Sequence, residues 1–187
     1  MILPIVRYGH PALRRKGVAV EAVNAEIRQL IADMFETMYD AHGIGLAAQQ
    51  VGKALQLAVV DIRGITDRPS TLTRDGQPVD PETAMPLVLI NPQIQAVGDP
   101  VTGPEGCLSF PEIYADITRP ESIEVRASGA DGRPYQFQCG GLLAKAIQHE
   151  VDHLNGILFK DRMSKTALET LKDELDDLMA ETKRGLK

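Results

Sequence analysis

Residues 148–156 read Gln-His-Glu-Val-Asp-His-Leu-Asn-Gly and contain His149-Glu150-x-x-His153. Positions four apart lie on one face of a helix, so the two imidazoles project the same way. Stacked like this they can hold a single metal ion, and Glu150 can reach a water beside it. That is the working core of a metal-assisted hydrolase. A chance match in a chain of this length is an event on the order of one per cent. The competing reading is an amphipathic helix whose histidines are merely hydrogen-bonded. Against it, half of the chain's four histidines sit in this one pentapeptide, with a carboxylate between them.

Two histidines need at least a third protein ligand. Asp161 and Glu169 lie downstream, on a poor local match to zinc-peptidase spacing. Upstream, Gly103-Pro-Glu-Gly-Cys107-Leu-Ser-Phe-Pro111 sets a lone cysteine among glycine and proline, in an irregular or extended segment facing a surface or cleft. A thiolate is a soft, strongly bound ligand, although a free cysteine is more often a small buried hydrophobe. A third segment, Gly43-Ile-Gly45-Leu-Ala-Ala-Gln-Gln50, follows an amphipathic helical pattern. Its glycines permit close approach of the backbone to a ligand. Gln50 can offer its amide to a developing oxyanion. The segment lacks the third glycine and preceding strand of a dinucleotide site.

Taken together, Gly43–Gln50, Glu105-Gly-Cys107-Leu108-Ser109 and His149–His153 resemble the three signature motifs of the peptide deformylases, in the family's order. The resemblance runs over roughly residues 1–165. It implies removal of the N-terminal formyl group from the initiator methionine of nascent proteins, with release of formate. It further implies that Cys107, His149 and His153 bind the metal, that Glu150 is the general base, and that Gln50 and the Leu108 N–H bind the carbonyl oxygen. Gly43, Ile44, Gly45 and Leu108 are expected to line the methionine pocket and present backbone to the peptide, with Tyr114 at the groove edge. Arg119 is expected to pair with Glu105 and hold the motif loop. A thiolate with two imidazoles suits zinc, iron, nickel or cobalt. The resemblance points to ferrous iron, which the other three can replace.

Two rival readings compete with this one. A metallopeptidase acting on internal bonds predicts a ligand after the helix and no need of Cys107. A non-catalytic metal-binding or ribosome-associated module predicts a lost catalytic group, yet Glu150, Gln50 and all three ligands are present.

The 187 residues fit one domain, a core over about 1–163 followed by a helix over about 164–184. A hydrophobic fraction of 43% and a charged fraction of 25% are ordinary for a globular protein. No apolar stretch has the length of a membrane span, and Pro4 and Arg7 interrupt the only apolar run near the start, so no membrane and no signal peptide are expected. Two cysteines make no disulfide framework, and a cytoplasmic setting is expected, with Cys139 an unpaired thiol at a strand end. A net charge of −6 without a basic stripe argues against a nucleic-acid site.

The elements that must position these groups read as α+β. Asn24 is expected to cap a helix whose apolar face runs Ile27, Leu30, Ile31, Met34, Phe35 and Met38, with Gly43 as its stop. Strands are expected at 55–61, 87–97, 121–128 and 133–138, with Asp131-Gly132 turning the last pair. The metal helix is expected over 141–153, packed centrally among short antiparallel strands. Residues 63–85 read as a long polar loop, an inert insertion in preference to a rim of the substrate entrance. From Ser164 a last helix is expected, opened by a Thr166-x-x-Glu169 capping box, with Leu168, Leu171, Leu175 and Leu178 on one face. Some deformylases dock on the ribosome through a basic C-terminal helix. Here Asp173, Glu174, Asp176, Asp177 and Glu181 offset the lysines, so packing on the domain itself, or on a dimer partner, is the expectation.

Overall fold

In the computed structural model, which describes residues 1–187, the Asn24 side chain accepts from the Ile27 N–H and opens α1, Ala25–Asp40. Ile31, Met34 and Met38 recur at helical spacing and are buried. The left-handed residue that closes the helix comes one position before the expected stop. His42 takes the left-handed conformation (φ 57°), its N–H bonds to the Tyr39 carbonyl, and the Gly43 N–H bonds to the Met38 carbonyl. Gly43 is required for space instead, since a Cβ there would come within 2.7 Å of Leu108 Cδ1.

Nine strands follow: β1 (Gly45–Ala47), β2 (Leu57–Val60), β3 (Ser70–Arg74), β4 (Gln77–Val79), β5 (Leu87–Ala96), β6 (Pro100–Cys107), β7 (Phe110–Pro120), β8 (Ser122–Ser128) and β9 (Pro134–Gly141). Seven pair antiparallel in the order β1-β2-β5-β8-β9-β3-β4, while β6 and β7 form a hairpin of their own. The four runs expected as strands fall on β2, β5, β8 and β9. The register Ile123↔Cys139 and Val125↔Phe137 sets buried residues of neighbouring strands opposite one another. Cys139 is thus a buried free thiol near the end of β9.

Residues 63–85 are not a structureless loop. They contain the β3–β4 hairpin, turned by Asp75 (φ 53°) and Gly76 (φ 75°), and β3 extends the main sheet through Leu72↔Cys139. Two left-handed residues match the twist of a tight hairpin. The run hides from a hydrophobicity reading because Leu72 is the only buried residue of β3, and because Pro78 is tolerable only on the edge strand that β4 is.

That hairpin also starts the metal-motif helix. In α2, Leu142–Leu154, the Leu142 N–H donates to the Pro69 carbonyl and the Leu143 N–H to Ser70 Oγ. Two of the helix's orphaned donors are thereby satisfied by the strand beside it. Every residue of α2 except Lys145 is buried. Leu143, Ile147 and Leu154 pack against Val60, Leu89, Val125 and Phe137 of the sheet. Each such side chain is worth about 1.5–3 kcal/mol of burial, and together they carry the cost of enclosing a helix rich in polar groups.

The last helix is α3, Lys165–Gly185. Its cap is Ser164, which accepts from the Ala167 N–H, so the expected box at Thr166 does not form. Ser164 is still extended (ψ 160°), whereas Thr166 is already inside the helix and has no free cap geometry. Leu175 and Leu178 are buried against Phe110, Ile117 and Phe159, with Leu168 and Leu171 partly covered. The helix therefore packs on its own domain.

Candidate active site

Three elements converge beside α2. His149 and His153 lie one turn apart, with ring centroids separated by 5.1 Å. Cys107 ends β6, just before the turn into β7. Its Sγ lies 3.3 Å from His153 Nε2, and one ligand atom from each of Cys107, His149 and His153 falls within 4.8 Å of the others. The donor set is one thiolate and two imidazoles, which suits a divalent transition metal. The orientation of His149 fits too: its Nδ1 lies 3.0 Å from Glu105 Oε1, so Nε2 is left for a ligand.

Behind these residues runs a buried charge network. Arg119 grips Glu105 through Nε (2.6 Å) and Nη2 (3.0 Å), as the sequence suggested, and reaches Asp152 through Nη1 (2.9 Å). Asp152 also accepts two bonds from Arg162, at 2.6 and 2.8 Å. Burial would raise the Glu105 carboxyl, but bonds from His149 and Arg119 outweigh it and hold it down at about 2. Burial likewise opposes charge on both histidines. For His149 the neighbouring Cys107 and Glu150 overcome that effect and raise its pKa, whereas burial, reinforced by the His149 charge, drives His153 well down.

Glu150 and Gln50 face the same space from different sides. Burial pushes the Glu150 carboxyl up to about 7, and its Oε1 is buried with no hydrogen-bond partner. An orphaned carboxylate oxygen beside three convergent candidate ligands is the pattern of a group kept for a reacting molecule. Gly45 makes room for it, because a Cβ at Gly45 would collide with Glu150 Oε2. Gln50 sits in the short turn Ala48–Val51. Its Oε1 accepts from the Ala47 N–H at 2.9 Å and its Nε2 donates to Ser109 Oγ at 3.2 Å. The second proton of that Nε2 is left on the Cys107 side, where Sγ lies at 3.7 Å.

The cleft over this centre has a volume of about 500 Å³. Gly43, Ile44, Gly45, Leu108 and Tyr114 all line it, together with Gln50, Cys107, His149 and Glu150. His153 is sealed beneath the cleft floor at 1% exposure. Asp161 lies outside the centre: it pairs with Arg14 and caps the Leu158 N–H. Glu169 is exposed on α3. The sequence reading missed Leu142, Lys145, Ala146 and Arg68, which also line the cleft. The first three were legible, since they stand seven, four and three residues before His149 and share its helix face.

Comparison with known proteins gives one answer. The family described as Polypeptide deformylase matches residues 2–169. A peptide deformylase of Methylacidiphilum infernorum is 43% identical over 185 residues, which is 99% of this chain and 95% of that protein. A crystal structure of a peptide deformylase from Synechococcus elongatus in complex with actinonin is 42% identical, with a TM-score of 0.78 over 92% of this chain and 87% of that one. The peptide deformylase structure from Legionella pneumophila is 35% identical, with a TM-score of 0.81 over 98% of this chain and 99% of that one.

Proposed function

The chain belongs to the peptide deformylase family, and on that premise we infer that its cleft removes the N-terminal formyl group from formyl-methionyl peptides, releasing formate. The observation that carries the reading is the partnerless, buried Glu150 oxygen beside the converging Cys107, His149 and His153. These three residues would hold one divalent ion, which supplies Lewis acidity that acidifies water and polarises a carbonyl. Ferrous iron is the proposed native ion, and the soft donor set also accepts zinc, nickel or cobalt.

In the proposed reaction Glu150 accepts a proton from water as its oxygen attacks the formyl carbon. The carbon–nitrogen bond then breaks, formate departs, and Glu150 returns the proton to the α-amine. Negative charge grows on the formyl oxygen during attack. The Gln50 Nε2, already oriented by Ala47 and Ser109, and the Leu108 N–H are the proposed donors to it. The substrate backbone is proposed to lie along Gly43–Gly45, since β1 is the outer strand of the main sheet. The methionine side chain then enters between Ile44, Leu142 and Ala146, with Tyr114 at the outer edge.

Nascent chains are the proposed substrates, and any encounter with the ribosome would come through them, because the apolar face of α3 is already used within the domain. No helix is long and apolar enough to cross a membrane, and a cytoplasmic site of action is proposed. Residues 1–163 are proposed as the catalytic core, with α3 as its brace. The peptidase alternative lacks support, because neither Asp161 nor Glu169 is near the ligand set.

The test is formate release from a formyl-Met tripeptide by anaerobically purified protein loaded with iron or nickel. Turnover is expected from the parent. It should be lost, together with metal, in Cys107→Ala, and lost with metal retained in Glu150→Ala. Tight metal binding without formate release by the parent would refute the reading.

A further inference from the structure

The chemistry above leaves two cations in the cleft without a role, Arg68 and Lys145. Lys145 is the single residue of α2 that escapes burial. Its side chain runs across β6, where a Cβ on Gly103 would sit 2.6 Å from its Nζ, so the glycine leaves space for the ammonium. Arg68 immediately precedes Pro69, whose carbonyl accepts from the Leu142 N–H. Its backbone is therefore fixed at the start of α2, and Lys145 follows Leu142 by one turn on the same face. Both cations line the cleft.

Neither has a carboxylate partner, which sets them apart from Arg119, the buried guanidinium behind the same cleft that is held by Glu105 and Asp152. Of the cleft's acids, Glu105 is committed to Arg119 and His149, and Glu150 lies over the ligand set. Only Glu112, carried on the β6–β7 hairpin, is an exposed anion in the cleft. In a chain of net charge −6, the cleft thus gathers two cations that no carboxylate of the protein neutralises. A concave surface lined by like charges concentrates their field on whatever enters it.

We propose that Arg68 and Lys145 select among substrates, favouring formyl-methionyl chains with an Asp or Glu side chain within the second to fourth residues. Three extended residues reach about 10 Å beyond the methionine, far enough to bring such a carboxylate along the cleft. The proposal deepens the deformylase reading and rests on it.

The experiment compares kcat/KM for amidated formyl-Met tetrapeptides with Glu, Gln or Lys at the second, third or fourth position, the other positions being alanine. Amidation leaves the side chain as the only carboxylate, and the free acid of the all-alanine peptide tests the α-carboxylate separately. The expected result is a Glu-over-Gln preference of about three- to tenfold at one position or more, with Lys poorest, as befits solvent-exposed pairs. It should shrink at high ionic strength and collapse toward unity in Arg68→Ala/Lys145→Met, where methionine keeps the aliphatic stem. A parent ratio at or below one at all three positions overturns the proposal, as does a ratio that survives in the double variant. A preference confined to the free acid also overturns it, since a nascent chain has no α-carboxylate nearby. Failure of the metal-loaded parent to deformylate the amidated all-alanine peptide would instead defeat the underlying reaction.

Discussion

Glu105 Oε1 meets His149 Nδ1 at 3.0 Å while both Glu105 oxygens are gripped by Arg119. One carboxylate therefore orients an imidazole of the candidate metal centre and neutralises a buried guanidinium. In Glu105→Gln the volume is kept but the charge is not. Metal affinity is expected to fall about 10–100-fold. Leaving Arg119 partly uncompensated should cost up to about 3–5 kcal/mol of stability. Competition titration against a chelator and denaturant unfolding read the two effects separately. Unchanged affinity would remove Glu105 from any role in orienting His149.

Gly45 and Glu150 occupy adjoining space, so close that any Cβ at Gly45 must displace the carboxylate. The collision partner is the end of a side chain, which can swing aside without unfolding the protein. Gly45→Ala is therefore expected to keep its fold and its metal while kcat falls by about 10²-fold, the usual consequence of misplacing a reacting group by an ångström or so. Steady-state kinetics beside metal analysis checks this. Full kcat in the variant would mean that Glu150 works from another position.

Much of this site was readable because its chemistry is local. His149, Glu150 and His153 lie on one turn, and Asn24 caps α1 through a contact three residues away. What escaped reading is non-local. The Ser70 hydroxyl and Pro69 carbonyl cap a helix more than seventy residues downstream. No periodicity in a run such as Ser-Thr-Leu-Thr-Arg reveals that partnership. The stop of α1 was misplaced for another reason: glycine is the common left-handed residue, yet His42 takes that conformation and Gly43 serves packing.

Asp61 links the end of β2 to the cleft, its N–H donating to the Ile44 carbonyl. Burial would raise its carboxyl, but bonds from Arg63 and Tyr39 prevail and lower it. A carboxylate with a depressed folded pKa stabilises the fold at pH values above its unfolded pKa, near 4. That stability is lost as the pH falls through the lower folded value. Thermal unfolding of the parent between about pH 5 and pH 2 should therefore show an acid loss that is smaller in Asp61→Asn. Identical pH dependence of the two proteins would mean that the cluster contributes nothing to acid stability.

Asp152 is shared by two arginines whose loss should differ greatly. Arg119 is 4% exposed and serves Glu105 as well, whereas the Arg162 side chain is 42% exposed and serves Asp152 alone. Removing Arg162 leaves Asp152 with its bond to Arg119, and water can reach the vacated side, so Arg162→Ala is expected to cost about 1 kcal/mol or less. Removing Arg119 leaves Glu105 buried with only His149 beside it, while Asp152 keeps Arg162, and Arg119→Ala should cost about 3–5 kcal/mol. Denaturant unfolding of both single variants and the double variant gives the coupling between them. The coupling should be destabilising beyond the sum, because only the double variant leaves Asp152 with no cation at all. Simple additivity would mean that the two arginines do not share Asp152 energetically.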